Sequence, residues 1–378
     1  MIGEQERLAL TKAKRVVVKV GTRVLTQKSG RPETRRIKSL VQEISKLHSK
    51  GVEVVFVTSG AIGAGIESLN LKKRPSDLPG LQTAAAVGQV RLMAQYDQLF
   101  SKKGCQVGQV LLTQDDFKNR QRYLNARNTI LSMLRNRIIP IINENDVISV
   151  DEIKVGDNDF LAAMVALKIE ADALVLLTAT NGLRAPTSGS RTKRISYLKK
   201  VTKEELSLAV GKTDALSTGG MATKLEAASM AVKGGLFSII ADGKNPKALE
   251  NIFNGKDEGT LIGTISKNGN GFSAKKKWIA FSHKHQGTVT IDKGACEAIQ
   301  KKHKSLLPVG LKKIAGTFPQ GSLISIQNSR GEEIARGLSP YSSQELDKIK
   351  GKKLSDVAKI LGSEAYQEVV HRDNMLIL

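Results

Sequence analysis

The sequence has few cysteines, few aromatic residues and no long uninterrupted apolar run, and each scarcity excludes a class of protein. Its two cysteines, Cys105 and Cys296, lie far apart and form no C-x-x-C pair, which excludes a disulfide scaffold and fits a reducing compartment. No apolar stretch reaches the roughly 18–20 residues that span a bilayer. Residues Met1–Arg15 are charged and contain no apolar signal core. The sequence therefore predicts a cytoplasmic protein without a membrane segment.

Several common catalytic motifs are also missing. The chain contains no G-x-x-x-x-G-K-[ST] phosphate loop and no G-x-G-x-x-G after a strand, so neither a Walker-type nor a dinucleotide-binding site is indicated. No Ser/His/Asp or Cys/His set is visible, and the five histidines lie away from the polar clusters described below. The spacing of acids and histidines suits no zinc site.

The chain does contain a strong excess of positive charge. Its 378 residues carry a formal net charge of +23, with 40% hydrophobic and 25% charged residues, and the length predicts two or three domains. High positive charge can indicate nucleic-acid binding, but basic residues exceed acids at similar density on both sides of Ser273. Solvated surface is therefore the preferred interpretation of runs such as Lys275–Lys277, with attraction to anionic ligands left open.

Residues 16–263 alternate β-branched runs with amphipathic stretches. The apolar runs predict buried strands at 15–20, 52–59, 105–113, 138–143, 173–178 and 237–242. The amphipathic stretches predict helices at 35–51, 81–104, 124–137 and about 221–234, with another after Asp159. Near-continuous apolar strands separated by helices predict an α/β fold with a parallel sheet covered on both faces. In such a sheet, ligands bind beyond the carboxyl ends of the strands.

The sequence changes character near Ile265–Ala274, where ISKNGNGFSA is rich in Gly, Asn and Ser and predicts a linker. Beyond it, short alternating strands such as Gly287–Asp292 and Gly321–Asn328, together with two short helices, predict a small, mostly β module. The predicted first domain, linker and second domain are 1–265, 266–276 and 277–378.

Five polar clusters follow predicted strands of the first domain. They are Lys19–Thr22, Thr58–Gly63, Asn143–Asp146, Asp157–Asp159 and Ser217–Ala228. Lysines come from the first and fifth clusters. Glycine loops, whose N–H groups can approach an anion, form the second cluster and part of the fifth. The third and fourth clusters supply carboxylates that suit Mg²⁺ or a substrate ammonium. Each cluster could instead have a purely structural role: its lysine could extend to solvent along an apolar surface, or its polar residues could form a turn or cap a helix. Together they fit phosphoryl transfer, which needs cations and backbone donors around phosphate oxygens.

In chain order, the strings VVVKVGT, VTSGAIGAG, AAVGQVRLM, INEND, KVGDND and TGGMATKL resemble the amino acid kinase family, in particular its members that phosphorylate glutamate. SLLPVGLKKIAGTFPQGSLISI and VVHRDNM resemble a PUA domain. The resemblance covers nearly the whole chain. It implies a three-layer sandwich around a mainly parallel sheet, followed by a small PUA pseudo-barrel. It also implies phosphoryl transfer from ATP to the γ-carboxylate of L-glutamate, the first step toward proline.

The resemblance also implies roles for individual residues. Lys19 and Lys224 would flank the transferring phosphoryl group, and Asp159 would hold both lysines in place. The residues it assigns to glutamate are Ser59, Asp146 and Asn158, with Asn143 and Asp157 as supporting groups. The residues it assigns to the nucleotide are Lys19, Gly21, Thr22, Thr178, Ala179, Thr218, Gly219, Gly220, Met221, Ala222, Thr223 and Lys224. Mg²⁺ would bridge the nucleotide phosphates without a dedicated protein site.

The chain departs from the family pattern after the strand that ends at Thr178. The family usually has an aspartate next and a tyrosine further on, whereas this chain has Ala179 and Arg184. A backbone contact to the nucleotide can survive this change, but a carboxylate contact cannot. The basic residues that would compensate on a polyanionic nucleotide are Arg184, Arg191, Lys193 and Arg194. The resemblance further implies inhibition by proline at the glutamate site and a homo-oligomer of two or four chains.

Two alternative functions stay open from the sequence. The first is an RNA-binding protein whose kinase-like domain is only a scaffold, as the PUA-like tail and the pI near 9.9 suggest. Against it, positive charge is not concentrated in the tail, and Tyr341 and Tyr366 are isolated, so no series of aromatic residues is available for base stacking. The second is a kinase with another acceptor, such as N-acetylglutamate, aspartate or a nucleoside monophosphate. The KVGDND string and the PUA-like tail argue against that acceptor change.

Overall fold

The computed structural model describes residues 3–27, 31–149, 158–186, 192–209, 220–265, 285–361 and 368–378. The chain divides into two compact units, Met1–Gly271 and Phe272–Leu378. The predicted linker at 266–276 lies outside the described residues. Within the described residues, every helix is too short or too polar to cross a membrane.

The first unit alternates strands and helices along the chain. Its strands are β1 (Arg15–Val20), β2 (Glu53–Val57), β3 (Gln106–Leu112), β4 (Ile138–Glu144), β5 (Ala173–Thr178), β6 (Arg184–Pro186), β7 (Thr192–Arg194), β8 (Tyr197–Leu198), β9 (Phe237–Asp242) and β10 (Thr260–Ile262). Its helices are α1 (Glu4–Leu10), α2 (Thr22–Leu25), α3 (Thr34–Ser49), α4 (Ala61–Ser68), α5 (Leu78–Ser101), α6 (Gln114–Lys118), α7 (Arg120–Arg135), α8 (Asn158–Lys168), α9 (Lys203–Ala209), α10 (Met221–Lys233) and α11 (Ala248–Phe253).

Eight of these strands form one sheet in the order β3-β4-β2-β1-β5-β9-β10-β8, and β6 and β7 form a separate antiparallel hairpin. Neighbouring strands of the large sheet are parallel except for the antiparallel pair β9–β10. One fully buried row crosses the sheet through Ile141, Phe56, Val18, Val175 and Ile239.

The neighbouring residue Val17 is also fully buried. Because successive side chains of a strand point to opposite faces, both faces of the sheet are covered. The predicted mainly parallel sheet is therefore confirmed, and the carboxyl ends of β1, β2, β4 and β5 lie at one edge.

The glycine-rich segment after β2 forms a helix, which corrects the predicted glycine loop. Only Gly60, with φ of 100°, precedes the helix, and Gly63 and Gly65 lie within α4. A Cβ atom on Gly65 would lie 1.8 Å from the carbonyl oxygen of Ala84 in α5. A Cβ atom on Gly88 would lie equally close to the carbonyl oxygen of Ala61. These glycines therefore serve the close contact between α4 and α5 and not the approach of a ligand.

Glu43 in α3 is a buried carboxyl group that caps a neighbouring helix. Its Oε2 atom accepts hydrogen bonds from the backbone N–H groups of Leu249 (2.8 Å) and Glu250 (3.3 Å) at the start of α11. Burial raises the pKa of Glu43 to about 7 and outweighs the two N–H donors, which favour the charged form. Because the folded-state pKa is above the unfolded value of 4.5, the folded protein binds this proton more tightly.

This raised pKa predicts a pH-dependent contribution to stability. The Glu43 contribution should be fully present below pH 4.5 and should be lost as the pH rises through about 7. The free energy of unfolding of wild type relative to Glu43→Gln should therefore fall by up to about 3 kcal/mol over that window. Denaturant unfolding of both proteins, followed by circular dichroism across the window, checks it. A difference that does not vary with pH would contradict the prediction.

The second unit is a small, mostly β module. Its strands are β11 (Gly287–Ile291), β12 (Leu311–Ala315), β13 (Leu323–Gln327), β14 (Glu333–Leu338) and β15 (Met375–Ile377). Its helices are α12 (Lys293–Gln300), α13 (Ser343–Ile349) and α14 (Leu354–Leu361). The sheet order is β12-β11-β13-β14-β15, with only β11–β13 parallel. Alternation in β11, where Val289 and Ile291 are buried, supplies its core as the sequence pattern predicts.

Candidate active site

Three buried charged side chains meet at the carboxyl edge of the large sheet. Lys19 comes from β1, Asp159 from the first turn of α8 and Lys224 from the first turn of α10. The Lys224 Nζ atom lies 2.9 Å from Asp159 Oδ2, and the Lys19 Nζ atom contacts Asp159 Oδ1. The exposed fractions are 4% for Lys19, 0% for Asp159 and 6% for Lys224. The structure thus brings together the three residues predicted to be catalytic, although they are far apart in the sequence.

This lysine–aspartate cluster carries two positive charges and one negative charge. Burying ionised groups is unfavourable unless opposite charges lie close to them, and Asp159 places its carboxylate against both ammonium groups. An anionic phosphoryl group placed against both ammonium groups would add further opposite charge. Fixed ammonium groups at such a position stabilise charge that develops on the oxygens of a transferring phosphoryl group.

The start of α10 also favours an anion. Its first turn contains no acidic residue, and the residue before it, Gly220, makes no side-chain cap. The Gly220 carbonyl accepts from Thr223 Oγ1 at 2.9 Å and from Lys224 Nζ at 3.5 Å, which fixes this turn. The first turn itself therefore supplies no carboxylate to the helix dipole, and besides Asp159, which contacts Lys224, the dipole is suited to a ligand phosphate.

Two glycines beside the cluster are not required by the fold. Gly21 has a φ of −79° and Gly220 a φ of −82°, which any residue adopts. A Cβ atom on Gly21 would lie 3.6 Å from Leu177 O, an ordinary contact, and one on Gly220 would lie no closer than 4.0 Å to any atom of the described residues. Since neither conformation nor packing demands glycine, close approach of a ligand is the remaining physical reason for it. The Gly21 N–H donates to Leu177 O, so it is already satisfied within the protein.

A second cluster, made of neutral polar groups, adjoins the charged one. The Asn158 Nδ2 atom donates to Thr58 O (2.7 Å), to Asn143 Oδ1 (2.8 Å) and to Ser59 Oγ (3.2 Å). Ser59 follows β2, Asn143 lies near the end of β4, and Asn158 starts α8. Two of the three residues predicted to bind glutamate are therefore in contact, and the third, Asp146, is half-buried two residues beyond β4.

The other described residues that were predicted to bind the nucleotide lie at the carboxyl edge of the large sheet or at the start of a helix. Thr178 and Ala179, at the end of β5, are half-buried, and Thr178 O accepts from the Gly243 N–H at 2.8 Å. Thr22 begins α2, and Met221, Ala222 and Thr223 form the partly exposed first turn of α10. The predicted residues Asp157, Thr218 and Gly219 lie outside the described residues.

The basic side chains expected to compensate for Ala179 are largely used within the protein. Arg184 donates to Thr192 Oγ1 (2.8 Å) and to Thr192 O (2.7 Å), which joins β6 to β7. Arg194 pairs with Asp257 at 2.7 Å. Lys193 is exposed, and Arg191 lies outside the described residues. Since Arg184 joins the two strands of the hairpin and Arg194 ties β7 to Asp257, compensation for the missing carboxylate is not their evident role.

The donor set fits magnesium nucleotide better than a metal held by protein alone. Among the described residues, no three His, Cys, Asp or Glu side chains are grouped to hold a metal ion. Both carboxylate oxygens of Asp159 face lysine ammonium groups. The residues present therefore fit phosphate oxygens, which would themselves provide most ligands of Mg²⁺.

Sequence reasoning missed two residues that support this site. Gln89 and Tyr96 of α5 bond to Asn143 and to Thr58, whose carbonyl oxygen accepts from Asn158. Thr58 and Gln89 lay within strings that carried the family resemblance, but nothing in their spacing indicated a contact. Only the packing of α5 beside the strand ends brings these residues together.

A parallel sheet with two lysines and an aspartate gathered at its carboxyl edge is an arrangement suited to a phosphotransferase. Residues 14–242 match the amino acid kinase family, and residues 287–361 match the PUA domain. The chain is 43% identical over 374 residues to a glutamate 5-kinase of Moorella thermoacetica, covering 98% of each chain. It is 44% identical over 366 residues to that of Thermoanaerobacter sp. (strain X514), covering 96% of this chain and 98% of the other.

A solved carbamate kinase from Giardia lamblia, bound to AMP-PNP, is 20% identical with a TM-score of 0.48, covering 68% of this chain and 100% of that one. On the family match and the curated relatives, the chain belongs to the amino acid kinase family, and within it groups with the glutamate 5-kinases. The resemblance seen in the sequence strings is thereby confirmed.

Proposed function

We propose that the protein transfers the γ-phosphoryl group of ATP to the γ-carboxylate of L-glutamate, giving ADP and L-glutamyl 5-phosphate, the first step of proline biosynthesis. One observation carries this proposal. Asn158 and Asp159 are consecutive residues at the start of α8, and they join the neutral cluster to the lysine–aspartate cluster. An acceptor bound by the first cluster would therefore meet the phosphoryl group bound by the second.

The chemistry assigned to the chain is positioning and charge stabilisation. The acceptor carboxylate attacks the γ-phosphorus, the bond to the β-phosphate oxygen breaks, and ADP leaves with that electron pair. Lys19 and Lys224 stabilise the charge on the transferring oxygens, while Asp159 holds both ammonium groups in place. Mg²⁺ bound with the nucleotide would neutralise further phosphate charge. The carboxylate is already ionised at neutral pH, so no general base is needed for the attack.

An acceptor panel tests this function against its alternatives. We expect release of ADP from ATP and Mg²⁺ with L-glutamate, and not with aspartate, N-acetylglutamate or UMP. The product is an acyl phosphate, so hydroxylamine should trap it as the hydroxamate. Turnover that requires one of the other acceptors would reject glutamate as the substrate. RNA binding in the absence of any turnover would instead favour the scaffold alternative.

Removing the Asp146 carboxylate should weaken the binding of glutamate specifically. A carboxylate is the natural partner of the α-ammonium group, so Asp146→Ala should raise the KM for glutamate about tenfold while the KM for ATP changes by less than about twofold. Steady-state kinetics with each substrate varied in turn measures both constants. Asp97→Ala, at an exposed position of α5, is the matched control. An equal rise in both constants would argue against a direct contact with glutamate.

The finer proposals concern regulation, assembly and location. Proline would compete with glutamate, because its ammonium and carboxylate groups match those of the acceptor, and Asp146→Ala would then weaken inhibition as well as substrate binding. The enzyme would work in the cytoplasm as a homo-oligomer. Its catalytic domain would span 1–265 and its PUA domain 277–378, joined by 266–276. Kinetic inhibition by proline, sedimentation in solution and limited proteolysis test these points.

A further inference from the structure

A line of buried amide groups runs from the middle of α5 to the start of α8. The Asn143 Nδ2 atom donates to Gln89 Oε1 at 2.8 Å, and the Asn158 Nδ2 atom donates to Asn143 Oδ1 at 2.8 Å. The exposed fractions are 9% for Gln89, 2% for Asn143 and 8% for Asn158. Gln89, which is not among the residues predicted to bind a substrate, begins this line.

The line has a fixed direction. Asn143 accepts through its oxygen and donates through its nitrogen, so its amide is held from both sides. The nitrogen of Asn158 faces three acceptors, which are Thr58 O, Ser59 Oγ and Asn143 Oδ1. Rotating the Asn158 amide by half a turn would place its oxygen against Thr58 O and Asn143 Oδ1, and the contacts between these oxygens would be repulsive. The side-chain oxygen of Asn158 is therefore the group kept for an incoming donor such as a substrate ammonium.

The helix that carries Gln89 is itself firmly held. Gly88 allows the backbone of α5 to approach α4 closely, since any Cβ atom there would collide with Ala61 O. Seven residues after Gln89, on the same face of α5, the Tyr96 hydroxyl lies 2.7 Å from Thr58 Oγ1. One face of α5 therefore bonds both to the residue that orients Asn158 and to the residue whose carbonyl accepts from it. A rigid support of this kind fixes a binding group more accurately than a loop does.

We propose that Gln89 is a positioning residue for the acceptor site, which acts through Asn143 to fix the amide of Asn158 with its oxygen available to the amino group of the substrate. The proposal rests on the function assigned above, in which Asn158 binds the acceptor. Without the Gln89 oxygen, Asn143 loses the acceptor for its nitrogen and its amide can turn over. An inverted Asn143 would present its nitrogen to the nitrogen of Asn158, which removes one of the three acceptors that hold the Asn158 amide and places a repulsive contact beside it.

The proposal predicts a selective kinetic effect. Gln89→Met has a similar volume but no hydrogen-bonding oxygen, and it should raise the KM for glutamate by about fivefold to tenfold. The KM for ATP should change by less than about twofold, because the hydrogen bond of Gln89 runs to Asn143 in the neutral cluster. Gln98→Met, at an exposed position two turns later on α5, is the matched control and should leave both constants unchanged.

Two conservative variants separate positioning from folding. Gln89→Glu keeps an oxygen that can accept from Asn143 and should recover most of the affinity for glutamate. Gln89→Asn keeps an amide but is shorter by one methylene group, so its oxygen should not reach Asn143 and the KM for glutamate should rise as in Gln89→Met. This variant tests the same hydrogen bond if Gln89→Met folds poorly. Adding Gln89→Met to Asn143→Leu should cause little further change in the KM for glutamate, because both variants break the same line.

These measurements distinguish failure of the positioning role of Gln89 from failure of the proposed function. A KM for glutamate within about twofold of wild type in folded Gln89→Met and Gln89→Asn would overturn the positioning role. Similar increases in the KM for glutamate and the KM for ATP would also overturn the positioning role, since they would indicate a general disruption of the protein structure. If wild type used another acceptor, the proposed function would fail in the acceptor panel, and the same variants would then be measured with that acceptor.

Discussion

Asp159→Ala is expected to reduce kcat by about 10²- to 10³-fold and to lower the free energy of unfolding by about 3–5 kcal/mol. Asp159 is fully buried and contacts the ammonium groups of both Lys19 and Lys224. Removing the carboxylate leaves two buried positive charges that repel each other and no longer converge on one point. Loss of their alignment removes stabilisation of the transferring phosphoryl group. Saturating kinetics and denaturant unfolding measure the two effects.

Asp159→Asn is the control that separates charge from shape. Its oxygen can accept from one lysine, but its amide nitrogen faces the other, so kcat should remain low while the loss of stability is smaller. A kcat within about tenfold of wild type in either folded variant would contradict the assigned role. Adding magnesium nucleotide should raise the melting temperature of Asp159→Ala, since phosphate charge would partly replace the missing carboxylate.

Lys224→Ala is expected to lower kcat by at least about tenfold with little change in either KM. The Lys224 ammonium lies 2.9 Å from Asp159 Oδ2 at the start of α10, where it would meet the charge that develops during transfer. The remaining pair, Lys19 and Asp159, is balanced in charge, so the variant should stay folded. Steady-state kinetics with ATP and glutamate varied separately checks the prediction.

Lys233→Ala supplies the matched control for Lys224. Lys233 is exposed and lies in the last turn of the same helix, so the substitution removes the same charge from α10 without reaching the site. Its kinetic constants should equal those of wild type. A large rise in the KM for ATP with unchanged kcat in Lys224→Ala would reassign this lysine to binding of the ground state.

The central strands could be predicted because their apolar residues form short, nearly unbroken runs. The bounds of β1, β5 and β9 are those that the sequence predicts, and each of these strands is buried in the middle of the sheet. Strand β8, at the edge of the sheet, and its neighbour β10 have only two and three residues, which is too little sequence to show a period. Their pairing depends on contacts between segments that are distant in the chain.

The glycines show why the site could be predicted only in part. Glycine serves close ligand approach and close helix packing equally well, and the local sequence looks the same for both. The positions of Gly65 opposite Ala84 and of Gly88 opposite Ala61 assign these two glycines to the packing of α4 on α5. No described neighbour crowds Gly21 or Gly220, which leaves those two for a ligand. The distinction requires the distance to a neighbour that the sequence does not give.

The sequence by itself determined the parallel sheet, the edge at which the polar clusters gather and the kind of chemistry they serve, because these follow from apolar runs, chain direction and residue type. Only the tertiary structure decided which atoms meet. It placed both lysines on one carboxylate, it turned the amide nitrogen of Asn158 toward three acceptors, and it put Gln89 behind them. Hydrogen bonds are directional and act over about 3 Å, so no pattern along the chain specifies them before the helices have packed.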